Sequence, residues 1–348
     1  MDKNKLPYTL TVKTADYLTK IAETAARLEY GLGFKREIRL HRMNRVRSIQ
    51  SSLAIEGNVL SMDEVADVIA GKLVAGKQAD IKEVRNAFEA YDKIMTFNPF
   101  SVRDFLAAHK LMTDGLIKES GKFRDGDVGV FDGDIVVHIG ARPQFVPTLI
   151  ADLFEWAKNT EIHPILKSAI VHCEIETIHP FADGNGRMGR LWQTLILAKW
   201  NEVFAWIPME SLMYEKRAQY YNTLQNAQRK NDSGEFIEFI LSAILDAVEM
   251  QVNQINKPTP DTESSDKKEI NEFVENAHEF VEKFVDNKTQ RSILRLMAAQ
   301  PKISAMRIAE ELRISSRGVQ KNISELKKRG LIERVGPAKG GHWQVKIP

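Results

Sequence analysis

The chain contains 348 residues, 43% of them hydrophobic and 28% charged, and its net charge at pH 7 is +2. This length suits two or three domains and permits a sizeable core. The chain begins Met-Asp-Lys-Asn-Lys and has neither the apolar stretch of a signal peptide nor a run long enough to span a membrane, so we expect a soluble cytoplasmic protein without a membrane partner. The single cysteine, Cys173, excludes an internal disulfide and is expected to be a small core residue rather than a nucleophile.

A helical N-terminal region is predicted over residues 1–110, because helical periods are frequent there and strand signals are few. Within it, a helical pattern over residues 45–57 ends in the run Ser-Leu-Ala-Ile-Glu-Gly-Asn. Ser52 and Glu56 in this run are four apart and therefore share a helix face, and the glycine that follows is a helix stop. Taken by itself, this pattern is typical of an ordinary capped helix.

A small β-hairpin is predicted over residues 126–140. Two short runs rich in β-branched residues flank Asp132-Gly133, which is a strong signal for a two-residue turn. The run Gly-Lys-Phe-Arg at residues 121–124 precedes the hairpin. The residues alone are also compatible with a hairpin that has a purely structural role.

The run from His179 to Arg190 concentrates several kinds of chemistry in one loop: His-Pro-Phe-Ala-Asp-Gly-Asn-Gly-Arg-Met-Gly-Arg. Histidine is a common general base, so His179 can accept a proton from an attacking hydroxyl. Asp183 is a hard oxygen ligand of the kind that binds Mg²⁺ together with nucleotide phosphates. The run therefore predicts a site for a nucleotide–metal complex rather than a permanent metal centre.

The same run predicts an anion cradle at the start of a helix. Glycines on either side of Asn185 permit positive φ, so that successive N–H groups can point at one anion. Residues 188–200 are predicted to be helical, which places a phosphate at a helix N-terminus. Arg187 and Arg190 are three apart and suit phosphate oxygens. The alternative is a turn between two core helices in which the histidine is hydrogen-bonded and idle.

This run resembles the signature of the Fic family, His-Pro-Phe-x-Asp/Glu-Gly-Asn-Gly-Arg-x-x-Arg, at every fixed position. The resemblance implies a helical domain that moves AMP from ATP onto a protein hydroxyl and releases pyrophosphate. It implies that His179 is the base and Asp183 the Mg²⁺ ligand. It assigns nucleotide binding to six residues, namely Gly184, Asn185, Gly186, Arg187, Arg190 and, from a later helix, Tyr221.

Variation within the family bears on the group that is transferred. Relatives that phosphorylate a protein tend to have lysine where this chain has Gly186, so glycine favours AMP transfer. Phosphocholine transfer and the use of other nucleotides stay open, because the cradle does not contact the base. The helix at residues 217–224 resembles the family's adenine-pocket wall, where Tyr221 is the stacking candidate. A core role for Tyr221 is the alternative.

Two further segments resemble parts of the family. The run ending in Glu56 resembles its inhibitory motif, in which Ser52 belongs to the helix and the glutamate pairs with Arg190 and keeps the γ-phosphate from its seat. In some relatives the same glutamate orients a water that removes AMP. The hairpin resembles the family's flap, which aligns the target segment as an added strand through main-chain hydrogen bonds.

The rest of the chain predicts a separate C-terminal domain. Residues 111–255 are expected to form the catalytic core, and residues 256–268, rich in proline, serine and charge, a linker. Residues 269–348 are expected to contain an apolar helix at 270–284, then three helices and a hairpin. That succession resembles a winged-helix domain, so the fold class is mainly α with a small flap plus an α+β winged helix.

The C-terminal domain is also the basic end of the chain. From residue 289 onward there are thirteen Lys and Arg against four Glu, an excess of nine positive charges in a chain whose total is +2. Such a balance favours contact with nucleic-acid phosphates. Ser316, Arg317, Gln320 and Lys321 are predicted to face the DNA major groove. Winged helices also bind proteins, which is the alternative.

Two function classes follow from the sequence. The first is a self-inhibited protein adenylyltransferase that uses ATP and Mg²⁺ and modifies a protein with an exposed Ser, Thr or Tyr hydroxyl. Because some relatives also remove AMP, this class includes removal of AMP from the modified protein. The second is a DNA-binding transcriptional regulator with a sensory or vestigial Fic-like domain. Whether the chain works as a monomer or a homodimer stays open.

Overall fold

The structure of the protein is a computed structural model that describes residues 6–31, 38–132, 135–256, 288–299, 303–312, 314–328, 332–335 and 342–345. It divides into two compact units, Met1–Pro258 and Thr259–Pro348. Within the described ranges, no helix combines the length and the apolar character needed to cross a membrane.

In the described part of the first unit, the regular secondary structure is helical apart from one antiparallel hairpin, as predicted. Its helices are α1 (Val12–Ala26), α2 (Ile38–Ile55), α3 (Met62–Ile69), α4 (Gln78–Asp92), α5 (Val102–Thr113), α6 (Val146–Asn159), α7 (Pro164–Ile178), α8 (Asn185–Trp200), α9 (Met209–Glu215), α10 (Arg217–Lys230) and α11 (Gly234–Asn256). The hairpin joins β1 (Gly129–Asp132) to β2 (Ile135–Ile139).

Helices α7 and α8 form the centre of this unit. Both are apolar on more than one face, a pattern that requires burial on several sides. On α7, Ile170 and Cys173 belong to a buried cluster with α10 and α11, whereas Val171 and Ile175 belong to a second cluster with α4, α5 and α6. The predicted core position of Cys173 is therefore confirmed. The loop between α7 and α8 is consequently fixed at both ends by core packing.

The end of α2 shows how a local signal sets the position of a side chain. Gly57 adopts a φ of +93°, and the N–H of Asn58 donates to the carbonyl of Leu53 at 3.1 Å. This left-handed C-terminal turn satisfies carbonyls at the helix end. The helix ends at Ile55, so Glu56 lies just beyond the helix and not inside it, as was expected from its spacing to Ser52.

The hairpin differs from the prediction by one residue. Asp132 pairs with Ile135, which leaves residues 133 and 134 as the connection, and these lie outside the described residues. The expectation that Asp132 and Gly133 form the turn is therefore wrong, because Asp132 is the last paired residue of β1. The register also shifts between Val130 and Phe131, where the strands have an irregularity.

The second unit contains α12 (Lys288–Ala299), α13 (Ala305–Leu312), α14 (Ser316–Lys328), β3 (Ile332–Val335) and β4 (His342–Val345). The two strands pair antiparallel, which confirms the winged-helix arrangement. Trp343 packs among its buried residues and donates from Nε1 to the carbonyl of Ile303 at 3.1 Å. The predicted linker, except Asn256 at the end of α11, and the predicted helix at 270–284 lie outside the described residues.

Phe105 on α5 is predicted to be a principal core contact of the first unit. Its ring is fully buried, with centroids 4.9 Å from Trp192 and 5.1 Å from Phe181. We expect Phe105→Ala to lower the free energy of unfolding by about 3–5 kcal/mol, because it removes a buried aromatic ring. A urea titration followed by circular dichroism measures this, with Phe105→Leu as the control. A loss in the alanine variant no larger than in the leucine variant contradicts the prediction.

Candidate active site

His179 has a backbone conformation that few non-glycine residues adopt. It follows α7 as its C-terminal cap, with φ 52° and ψ 63°, and its N–H donates to the carbonyl of Ile175 at 2.9 Å. Such left-handed backbone in a non-glycine residue costs free energy and is concentrated at functional sites. The imidazole is partly exposed, and its Nδ1 lies 3.4 Å from the carbonyl oxygen of Glu176. With a proton on Nδ1, the other ring nitrogen, Nε2, is the basic one.

The turn after His179 is closed by its own side chains. Asn185 accepts from the N–H of Phe181 at 2.8 Å and donates to the carbonyl of the same residue at 2.9 Å. Gly184 has φ +88°, as predicted, and caps the start of α8 without a side-chain hydrogen bond. The N–H groups of the first turn of α8 therefore lack intrahelical acceptors, which is the geometry of an anion site.

Gly186 is required for a different reason than expected. Positive φ was predicted there, but the residue is an ordinary part of α8 and has no positive φ. A Cβ at this position would instead collide with Oε1 of Glu56 and approach Nη1 of Arg190 to 3.0 Å. The second glycine is needed because the carboxylate of Glu56, from the segment just after α2, occupies the space beside it.

The two signature arginines are buried and point to different partners. Arg190 donates to Oε1 of Glu56 at 2.7 Å and to Oγ and the carbonyl of Ser52, both at 3.0 Å. Burial opposes the charge of Arg190, but the acidic groups around it, of which Glu56 contributes most, together outweigh burial and hold the pKa of Arg190 above its usual range. Arg187 pairs with Asp183 and with Glu83 of α4, both at 2.9 Å. The two arginines, three apart in the sequence, therefore pair with different carboxylates.

Some donor capacity of these arginines stays available. Nε of Arg187 and Nη1 of Arg190 are buried without a hydrogen-bond partner among the described residues. Nη1 of Arg190 lies next to the space over Gly186. An unsatisfied buried donor beside the N-terminus of a helix favours the binding of an additional anion there.

Asp183 fits a metal that arrives with a nucleotide. Its side chain is 56% exposed at the edge of the cradle, and its carboxylate accepts from the N–H of Gly184 at 2.6 Å. Among the residues that the structure describes, His, Cys, Asp and Glu are nowhere grouped in threes as metal ligands. One exposed carboxylate beside a phosphate site matches the ligand preference of Mg²⁺, which is bound by one or two carboxylates plus phosphates.

Tyr221 of α10 contacts the end of α2. Its hydroxyl donates to the carbonyl of Ile55 at 3.2 Å, and its side chain is partly exposed. Burial, together with the charge of Glu56, raises the pKa of Tyr221 to about 12, so the hydroxyl stays protonated as a donor. The structure thus places Tyr221, the residue predicted to stack on adenine, close to Glu56, which pairs with Arg190.

In the second unit, α14 divides into two faces. Val319, Ile323 and Leu326 are buried. Arg317, Gln320 and Lys321 are exposed on the other face, and Ser316 begins the helix. The residues predicted to face DNA are therefore available at the surface of the unit where their side chains are described.

Comparison with known proteins identifies both parts of the chain. Residues 99–197 match the Fic/DOC family, and residues 287–341 match the MarR family. A crystal structure of a Fic family protein from Desulfovibrio desulfuricans G20 is 34% identical, covers 98% of both chains and superposes with a TM-score of 0.70. The chain belongs to the Fic family.

Curated members of the Fic family are more distant and longer. A protein named protein adenylyltransferase fic-1 from Caenorhabditis briggsae is 28% identical over 55% of this chain and 38% of its own length. One named protein adenylyltransferase Fic from Aedes aegypti is 26% identical over 62% of this chain and 44% of its own length. The chain therefore spans less than half of the curated relatives it matches.

His109 of α5 is a residue of this Fic site that the sequence analysis missed. Its ring stacks on Phe181 with centroids 3.6 Å apart. Nδ1 accepts from the N–H of Gly121 at 3.0 Å, so the ring proton is on Nε2, which donates to the carbonyl of Asp183 at 3.0 Å. Burial lowers the pKa of His109 to about 4 and keeps the ring neutral. A single histidine on an amphipathic helix gives no sequence signal for this role.

We expect His109 to make the stability of this unit depend on pH. Its pKa is about 4 in the folded chain against 6.5 ordinarily, so its contribution is complete above pH 6.5 and is lost as the pH falls towards 4. The free energy of unfolding should fall by about 1.4 kcal/mol per pH unit in that window from this group. Urea titrations from pH 7 to 4.5 should show a shallower dependence in His109→Asn. Parallel curves for the two proteins contradict the assignment.

Proposed function

We propose that this chain is a self-inhibited protein adenylyltransferase, which moves AMP from ATP to a Ser, Thr or Tyr hydroxyl of a protein. The name of the curated relatives supports the activity. The observation that carries the proposal is the single turn that combines an accessible imidazole, that of His179, with the open N-terminus of α8 and the buried guanidinium of Arg190.

The chemistry follows from this arrangement. The phosphates of ATP bind at the first turn of α8, where N–H groups and the helix dipole favour negative charge. Nε2 of His179 takes the proton of the target hydroxyl, whose oxygen attacks the α-phosphorus. The bond to the bridging oxygen breaks, and pyrophosphate leaves with the electron pair. Asp183 would hold Mg²⁺, which supplies charge neutralisation at the phosphates when bound.

Inhibition is proposed to come from Glu56. Its carboxylate accepts a hydrogen bond from Arg190 and fills the space over Gly186, where a terminal phosphate would otherwise lie. Breaking a buried ion pair by deleting one partner costs about 3–5 kcal/mol. Reversing a two-state equilibrium from 1:99 to 99:1 requires about 5.5 kcal/mol. We therefore expect strong but incomplete inhibition. The same carboxylate, next to the cradle, is also suited to orient a water for AMP removal.

The decisive variants are Glu56→Gly and His179→Ala. With labelled ATP and Mg²⁺, Glu56→Gly should raise self-labelling at least about tenfold, because it frees Arg190 for a phosphate. His179→Ala in that background should abolish labelling, because the hydroxyl then has no base. Glu161→Gly, an exposed loop glutamate between α6 and α7, is the matched control and should label as the wild type does. Equal labelling of the wild type and Glu56→Gly refutes the inhibition, and labelling that survives His179→Ala refutes the base.

A second candidate function, DNA binding, is favoured by the C-terminal unit. Its support is the MarR match at residues 287–341, the excess of nine positive charges from residue 289 onward and the exposed face of α14. Contacts to phosphates release counterions, so the affinity should fall steeply with salt. A unit that docks only onto a protein would not bind DNA, and no salt-dependent affinity for DNA would be measured.

For this candidate we expect the full chain to bind duplex DNA of mixed sequence in a fluorescence-anisotropy titration at low salt. Replacing Arg317 and Lys321 together by alanine should weaken binding and reduce the slope of log affinity against log salt by about 1–2. Lys20→Ala with Lys93→Ala, two exposed lysines of the first unit, is the control. No binding by the wild type at low ionic strength rejects the DNA hypothesis.

A further inference from the structure

Arg124 lies between the base of the hairpin and the catalytic turn. It is 4% exposed, and its guanidinium donates in two directions. Towards the turn, Nε donates to the carbonyl of His179 at 2.7 Å and Nη2 lies 3.4 Å from the carbonyl of Ile178. Towards the hairpin, Nη1 donates to the carbonyl of Gly126 at 2.8 Å and Nη2 to that of Ala141. One planar group thus contacts both ends of the hairpin and the residue that carries the imidazole.

Main-chain hydrogen bonds join the same three pieces of chain. The N–H of Arg124 donates to the carbonyl of Pro180 at 3.1 Å, and the N–H of Ala141 donates to that of Ile178 at 3.2 Å. The N–H of Gly140 donates to the carbonyl of Val128 at 3.1 Å and closes the base of the hairpin. The hairpin base and the catalytic turn are therefore connected twice, once through the backbone and once through the guanidinium.

Gly140 shows how closely these parts approach. A Cβ there would meet Nη2 of Arg124 at 2.8 Å and Cβ of His179 at 3.1 Å. The distance from the hairpin to the catalytic histidine therefore tolerates little change. A guanidinium suits this position, because its planar donors have fixed directions and a lysine would supply a single point charge.

These contacts are separate from the nucleotide cradle. Arg124 binds carbonyls on the N-terminal side of the turn, at Ile178 and His179, whereas the cradle is the first turn of α8. On the far side of the turn, His109 holds the carbonyl of Asp183. The two sides of the loop are thus supported by different residues from different parts of the chain.

We propose that Arg124 is a positioning residue that sets the distance and orientation between the hairpin, on which a target segment would lie, and the imidazole of His179. It acts on transfer to a protein hydroxyl and not on nucleotide binding. This inference rests on the proposed adenylyltransferase function. A residue that only stabilises the fold would affect both steps, because the turn and the cradle share the same loop.

The experiment uses the full chain in the Glu56→Gly background, with the chain itself as the labelled protein. We expect Arg124→Lys to lower the rate constant of self-labelling by about tenfold to hundredfold, because small displacements of a reacting group have effects of that size. The dissociation constant for ATP with Mg²⁺, measured by calorimetry, should stay within about twofold of the parent. The rate of ATP hydrolysis to AMP and pyrophosphate should fall less than the rate of labelling, because a water molecule that replaces the protein hydroxyl needs no alignment by the hairpin.

Two further variants keep the test decisive. Arg142→Lys changes an exposed arginine just beyond the hairpin and should alter none of the three quantities. If Arg124→Lys fails to fold by circular dichroism, Gly140→Ala replaces it, because the added methyl group presses on both Arg124 and His179. That variant should show the same separation of labelling from ATP affinity.

The outcomes distinguish the two proposals. Labelling at the parental rate in Arg124→Lys or in Gly140→Ala overturns the positioning role alone. A loss of ATP affinity in proportion to the loss of labelling overturns it as well and makes Arg124 a fold-stabilising residue. Absence of labelling in the Glu56→Gly parent overturns the proposed function, and with it the role of Arg124.

Discussion

The guanidinium of Arg190 is buried at the start of α8, and a buried charge is tolerated only beside a compensating anion. Glu56 supplies that anion from the end of α2, at 2.7 Å, and Ser52 accepts two further hydrogen bonds. A triphosphate at the same helix N-terminus would supply the same compensation. In the proposed mechanism, inhibition and substrate binding are therefore two ways of neutralising one buried cation, and exchanging them requires movement at the end of one helix.

The turn that carries His179 is held in place mainly through main-chain carbonyls. Asn185 closes the turn on Phe181, His109 donates to the carbonyl of Asp183, and Arg124 donates to that of His179. Donors from separate elements can fix a strained backbone and leave the side chains of the turn accessible. This explains how His179 keeps a left-handed conformation with its imidazole partly exposed. The proposed chemistry needs both properties.

Most of the secondary structure and the composition of the site could be predicted from the sequence, because the signals are local. The helix stop at Gly57, the helix after Gly184 and the helices of the second unit each depend on neighbouring residues. The pairing of Glu56 with Arg190, 134 residues apart, was expected only from the family resemblance. Glu83 and His109 received no site role, because a single polar residue does not indicate a distant partner. Arg124 was noted only as the last residue of the run that precedes the hairpin.

The sequence by itself determined which chemical groups stand together in the loop and that a helix follows them, although this helix begins at Asn185 and not at the predicted residue 188. The tertiary structure decided which charges meet, that the two signature arginines turn to different carboxylates, and that Gly186 is needed for space and not for its φ. The physical reason is the range of the interactions. Turns and caps depend on a few consecutive residues, whereas contacts between segments about a hundred residues apart depend on how whole helices pack.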